Sequence, residues 1–128
     1  MTIRVVRLGA ARLAGEGLRI GTVRRPPRGV PKTDFAKKNW YDVWYPGLSP
    51  TPETMHLGLT ASTDKEWATF VRMFRKEMKA PEVSRTLDLL AAMSHSADFS
   101  VGCYCEDENR CHRGILRELF AERSARIE

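Results

Sequence analysis

The stretch DFSVGCYCEDENRCHRGILRELF, residues 98–120, decides how this chain is to be read. Asp98 to Tyr104 has the β-branched and aromatic content of a strand, with Phe99, Val101 and Cys103 on one face. Beyond a start near Arg110 to His112 the apolar residues change to helical spacing, and Ile115, Leu116, Leu119 and Phe120 form one stripe. A strand that passes through a short polar loop into an amphipathic helix is the repeating unit of layered α/β folds. All three cysteines of the chain, Cys103, Cys105 and Cys111, fall in that unit beside His112 and Arg113.

The preceding segments fit the same architecture. Thr63 and Glu66 have the spacing of a capping box, and Trp67, Phe70, Val71, Phe74 and Met78 follow on one helical face. Pro81 suits the first turn of a second helix whose stripe is Val83, Leu87, Leu90 and Ala91. Residues 3–8 and 18–23 read as strands, with Gly9 to Gly17 a loop or short helix between them. The aromatic run from Asp34 to Tyr45 closes in turns at Pro46, Pro50 and Pro52, and Trp44 and Trp67 are expected in the core. Together these features predict one α/β domain over residues 1–128, a mainly parallel sheet flanked by helices and ending strand, loop, helix.

The bulk numbers set limits. With 128 residues, 42% hydrophobic and 29% charged, the chain can bury a core without covalent staples. No apolar run approaches the roughly 18 residues of a membrane span, and the N-terminus has no signal-peptide pattern, so a cytoplasmic protein is expected. Three clustered cysteines make a poor disulfide framework, which points to reduced thiols and leaves a redox pair open. A formal charge of +5 and a pI near 9.4 favour anionic partners. Oligomeric state is not legible.

If residues 98–104 form a sheet strand, the 105–110 loop lies at its carboxyl end, where open α/β folds bind ligands. The helix that follows offers unpaired amides at residues 110–113 and a positive dipole end. Cys111 there is the first nucleophile candidate, its pKa expected to fall beside Arg110 and Arg113; Cys103 is the second, and His112 is a general base or anion contact. Cys103, Cys105, Cys111 and His112 also supply enough donors for zinc, although adjacent residues on a helix diverge by about 100°, which argues against convergence. The cysteine-to-arginine spacing of six that marks phosphatase loops is absent, since position 111 is cysteine and position 109 asparagine.

A second basic feature is the run RRPPRGVPK at 24–32, a proline-stiffened loop leaving a strand. Arg24, Arg25 and Arg28 suit bidentate contacts to phosphate or carboxylate, and with Arg113 they are the expected ligand-binding cations. Tyr41 and Trp44 are the expected stacking partners for a base or ring. The leading expectation is therefore an anionic, phosphorylated or nucleotide-like ligand held between this loop and the Cys-His-Arg turn at 111–113, with thiol chemistry beside it. One alternative is a nucleic-acid-binding accessory protein. Another is a metal-binding or redox protein using Cys103, Cys105 and Cys111.

These residues together resemble domain-of-unknown-function family 488, the small YeaO-like bacterial proteins in particular. The resemblance is carried by LRIGTVRRPPRGVPK at 18–32, YDVWYPGLSPTPE at 41–53, WATFVRMFRKEM at 67–78 and VGCYCEDENRCHRGILRELF at 101–120. Cys103, Cys111, His112 and Arg113 fall on the family's cysteine and Cys-His-Arg triplet, and Arg24, Arg25, Arg28 and Gly29 on its basic loop. Trp44, Ser49 and Pro50 match its tryptophan and serine-proline region. Cys105 stands where many members carry glutamate, next to Glu106. The resemblance implies an α/β fold and a pocket shared by the two segments; it brings no activity with it.

Overall fold

Residues Phe99–Cys103 are buried at every position, and the reason is topological. The computed structural model describes residues 1–128, with strands β1 (Ile3–Arg7), β2 (Leu18–Gly21), β3 (Val43–Trp44) and β4 (Phe99–Cys103), and helices α1 (Pro52–Thr60), α2 (Asp64–Glu77), α3 (Pro81–Met93) and α4 (His112–Glu122). The four strands form one sheet in the order β1-β4-β2-β3, and every pairing is parallel. The last strand thus enters between the first two. Strands with parallel neighbours on both sides are covered on both faces, which explains the unbroken burial of FSVGC.

Alternation along the strands gives each face a distinct character. Ile3, Val5, Ile20, Phe99 and Val101 share one face and join the main core with Phe70 and Phe74 of α2, Leu87 and Leu90 of α3, and Leu116 and Phe120 of α4. The helical stripes anticipated for α2, α3 and α4 all lie in this core. Thr63 caps α2 by accepting the Glu66 amide at 3.1 Å, while the Glu66 carboxylate reaches back to the Ser62 amide. No helix is long and apolar enough to cross a membrane.

The opposite face carries Arg19 and Ser100 and is covered by loops. A Cβ on Gly21 would lie 2.3 Å from the Tyr41 ring, so only glycine lets that loop close on the sheet. Arg19 is fully buried, and its guanidinium donates to both Glu16 oxygens at 2.7 and 2.9 Å and to the Ala10 and Asn39 carbonyls. Ser100 Oγ donates to Glu16 at 2.7 Å, which ties this pair to the central strand. Burial alone would raise the Glu16 pKa; the hydrogen bonds from Arg19, Ser100 and the Leu13 amide outweigh it and bring the value to about 2.

Two elements differ from the sequence reading. Pro52 was expected to close a turn, but it occupies the start of α1, with Thr51 as N-cap accepting the Thr54 amide. Proline is welcome there because the first-turn amide has no partner inside the helix. Val43–Trp44 forms the short edge strand β3, and Trp44, expected in the core, is 44% exposed.

The Glu16–Arg19 pair predicts an acid response. Because the folded-state pKa lies below the unperturbed 4.5, its stabilisation is complete above about pH 4.5 and fades as pH falls toward 2. Glu16→Gln leaves a buried guanidinium without its counter-charge and should cost about 3–5 kcal/mol at pH 7. Urea unfolding at pH 7 and pH 3 checks this: the gap between parent and variant should narrow at the lower pH.

Candidate functional site

The site is assembled where β1, β2 and β4 end. Each strand points its carboxyl end the same way, so the segments leaving them, 8–10, 22–28 and 104–112, meet at one edge of the sheet. Two bonds join the last two. His112 Nε2–H donates to the Thr22 carbonyl at 2.6 Å, and the Tyr104 hydroxyl donates to the Arg25 carbonyl at 2.9 Å. The basic loop and the cysteine turn therefore line the same cleft, of about 1140 Å³.

One end of that cleft is cationic. Arg7, Arg24, Arg25, Arg28 and Arg110 all line it, but they are not equivalent. Arg24 donates to the Pro50 and Ser49 carbonyls, which anchors the loop to the chain before α1. Arg7 pairs with Glu106 at 3.5 Å; Arg110 pairs with Asp64 at 2.8 Å and lies over the Trp67 ring at 5.3 Å. Arg25 and Arg28 are exposed and have no ion pair or side-chain hydrogen bond, which leaves them free to meet an anion. The walls are aromatic. Trp40, Trp67, Phe70 and Tyr104 line them, and Trp40 meets Tyr104 edge to face at 5.8 Å.

Cys103, Cys105, Cys111 and His112 form the floor. Cys103 ends β4, and its sulfur lies 3.8 Å from that of Cys105. Cys111 caps α4 from an extended backbone (φ −140°, ψ 149°), outside the helix. That conformation removes the obstacle anticipated from helical geometry, because Cys111 does not follow the 100° step to His112. The ligating atoms of Cys103, Cys111 and His112 lie within 4.8 Å of one another, all three residues buried. A carbonyl can only accept, so the bond to Thr22 places the His112 proton on Nε2 and turns the Nδ1 lone pair toward Cys111 Sγ, 3.9 Å away. Burial lowers the His112 pKa and keeps the ring neutral.

Loop geometry comes from Arg113. The side chain is 5% exposed and donates to the carbonyls of Cys103, Cys105 and Glu106, with no carboxylate partner of its own. It is thus a scaffold inside the turn rather than a cation facing the cleft. Gly114 allows the turn to close, since a Cβ there would lie 2.5 Å from the Glu108 carbonyl oxygen. The amides of Arg110 and Cys111 donate to the Asp107 and Glu108 carbonyls. Much of the expected amide cradle at 110–113 is therefore already occupied.

The thiols separate electrostatically, though not as the helix dipole suggested. Cys105 is the one whose pKa falls: the Cys103 and Cys111 thiols donate to it and the Arg113 charge lies nearby, together outweighing partial burial. Cys111 moves the other way. Its thiol serves as donor to Cys103 and Cys105 and is buried, and both effects push its pKa up. Cys103 is raised as well, first through its bond to Cys105.

Family membership follows from this arrangement and from the chain as a whole. The profile of DUF488-N3a, described as the active DUF488-N3 subclade, matches residues 3–124. The chain belongs to the DUF488 family. No curated protein and no solved structure matches it. In this DUF488 chain the two remaining expected ligand contacts lie apart from the cleft. Tyr41 is buried between Phe35 and Gly21, and Trp44 sits on the edge strand with its indole N–H donating to the Val23 carbonyl. Their places on the walls are taken by Trp40, Trp67 and Tyr104. From sequence Trp67 is expected in the core and Tyr104 at the end of a strand; the adjoining exits of β1 and β4, which sequence does not show, are what bring Tyr104 to the cleft.

One prediction separates the thiols. In reduced, chelator-treated protein Cys105 should alkylate first, with a rate that stays nearly flat from pH 8 to pH 6, where an ordinary thiol loses about tenfold per unit. Cys105→Ala should abolish this fast phase. Mass mapping of iodoacetamide adducts against time and pH checks it, and adducts appearing first on Cys111 would contradict the assignment.

Proposed function

We propose that the cleft binds a small phosphorylated, nucleotide-like ligand. The single observation behind this reading is that two unpaired arginines, Arg25 and Arg28, line the same cavity as the aromatic walls and the thiol floor. Phosphate oxygens would be met by the guanidinium groups, which present planar donor pairs. A base or other flat ring would lie against Trp40, Trp67 or Tyr104. Cys105, half-buried, lines the same cleft. A family described as active agrees with such a site.

A nucleic-acid partner is the rival reading, drawn from the charge of +5. Within the cleft, however, three of the five lining arginines already hold carbonyl or carboxylate partners. Two free cations match one or two phosphates better than the row of phosphates along a nucleic-acid strand.

Calorimetric titration with nucleoside mono- and diphosphates tests the proposal. Saturable binding is expected, weakened about tenfold or more by Arg25→Ala or Arg28→Ala, in keeping with the loss of a charge-assisted hydrogen bond. Failure of every phosphorylated nucleotide to bind, with tight and steeply salt-dependent binding of single-stranded oligonucleotides, would replace this reading with the rival.

A further inference from the structure

We infer that Cys103, Cys105, Cys111 and His112 form a binding site for one thiophilic divalent cation of the zinc type. The inference shares the cleft with the ligand reading but does not depend on an anion binding there. It rests on spacing, lone-pair direction and charge.

Two donor-to-donor distances have the length that a single tetrahedral ion needs. Two sulfurs on the same tetrahedral zinc lie about 3.8 Å apart, because each Zn–S bond is about 2.3 Å. The Cys103 and Cys105 sulfurs are 3.8 Å apart. That is far from the roughly 2.05 Å of a disulfide. The sulfur-to-nitrogen edge of the same tetrahedron is about 3.6 Å, and Cys111 Sγ lies 3.9 Å from His112 Nδ1. Cys103, Cys111 and His112 place their donor atoms within 4.8 Å of each other.

His112 is oriented as a ligand would be. Metal-bound histidines commonly donate the second ring N–H to a carbonyl or carboxylate, which fixes the tautomer and aims the other lone pair. Here that acceptor is the Thr22 carbonyl, and the freed Nδ1 faces the sulfurs. The donors are also bound to separate rigid elements: Cys103 to the end of the central strand, Cys111 and His112 to the start of α4.

Charge balance is the third argument. A divalent cation with three thiolates and a neutral imidazole carries one net negative charge. Arg113 is a buried guanidinium with no carboxylate partner, donating to the carbonyls of Cys103 and Cys105. Its positive charge offsets that of the filled site. Soft sulfur donors select zinc-like ions over magnesium or calcium, which prefer oxygen. Cys105, half-exposed on the cleft side, is the ligand that faces solvent.

Titration of reduced wild-type protein with Co2+ under anaerobic conditions tests the site. One equivalent should give the intense visible bands and sulfur charge-transfer absorption of a tetrahedral thiolate centre, and Zn2+ should displace them. Zn2+ should also protect Cys105 from iodoacetamide. His112→Gln should weaken Co2+ binding at least about tenfold. Because His112 is buried, Cys105→Ser provides a second variant on a half-exposed residue, expected to weaken binding and shift the charge-transfer band. Weak octahedral Co2+ spectra, or three thiols still fully titratable with a thiol reagent in excess Zn2+, would overturn the inference. The double variant Arg25→Ala/Arg28→Ala should retain full Co2+ uptake, so loss of nucleotide binding there strikes the ligand reading alone.

Discussion

The fold depends on a buried ion pair on the face of the sheet that no helix covers. Loops expose carbonyls and amides that a sheet surface cannot satisfy, and each unpaired buried group costs about 1–3 kcal/mol. Arg19 answers this by binding Ala10, Asn39 and both oxygens of Glu16, while Glu16 takes the Ser100 hydroxyl and the Leu13 amide. Asp42 continues the network by accepting the Arg19 amide and pairing with Arg12. The segments 8–17 and 32–42 are thereby fixed to the sheet by directional bonds instead of an apolar stripe. Replacing such a pair with apolar side chains can be energetically neutral, whereas removing one partner is costly. The pair's contribution is thus to specify where the two loops lie, and through Gly9, Ala10 and Trp40 those loops supply one wall of the cleft.

The same device recurs at the other end of the sheet with a different outcome. Arg113 gathers three consecutive-loop carbonyls as Arg19 gathers two, but it has no Glu16 to neutralise it. A buried cation without a counter-charge is expensive unless a nearby group ionises. The Cys105 pKa falls chiefly because the Cys103 and Cys111 thiols donate to it, and the charge of Arg113 adds to that effect. Structure and chemistry are coupled here: the residue that shapes the turn also favours the charged form of the Cys105 sulfur. His112 performs a similar double task, since the bond that stitches α4 to β2 also fixes which ring nitrogen faces the sulfurs.

How far the sequence carried these conclusions can be traced residue by residue. The β4-loop-α4 unit, the capping box at Thr63 and the three helical stripes were legible because burial and periodicity are local signals. So was the meeting of the basic loop with the Cys-His turn, which parallel strand ends imply. The roles of individual residues were less legible. Helical geometry predicts the wrong direction for Cys111, which is an extended cap following the 108–110 turn, and its pKa rises because the thiol donates to Cys103 and Cys105 and is buried. Arg113 falls in the expected ligand set because its sequence neighbours suggest chemistry, although its direction is decided by carbonyls seven to ten residues earlier. Within the aromatic run at 34–45, only tertiary contacts decide that Trp40 lines the cleft while Tyr41 packs against Phe35 and Trp44 lies on the edge strand.

Charge distribution is what supports the compact ligand proposed above. The excess of basic residues invites a polyanion, yet most arginines of the site are engaged internally. Arg24 holds the loop, Arg113 the cysteine turn and Arg110 the start of α2, and only Arg25 and Arg28 remain uncommitted in the cleft. Pro26 and Pro27 between the two arginines, and Pro31 after them, limit the backbone freedom that binding would otherwise remove. Arg25, Arg28 and the three cysteines line one cleft. On the reading proposed above, the anionic group of a small ligand meets Arg25 and Arg28 inside the cleft that the sulfurs also line, and the internal engagement of the other arginines is what separates that ligand from an extended strand.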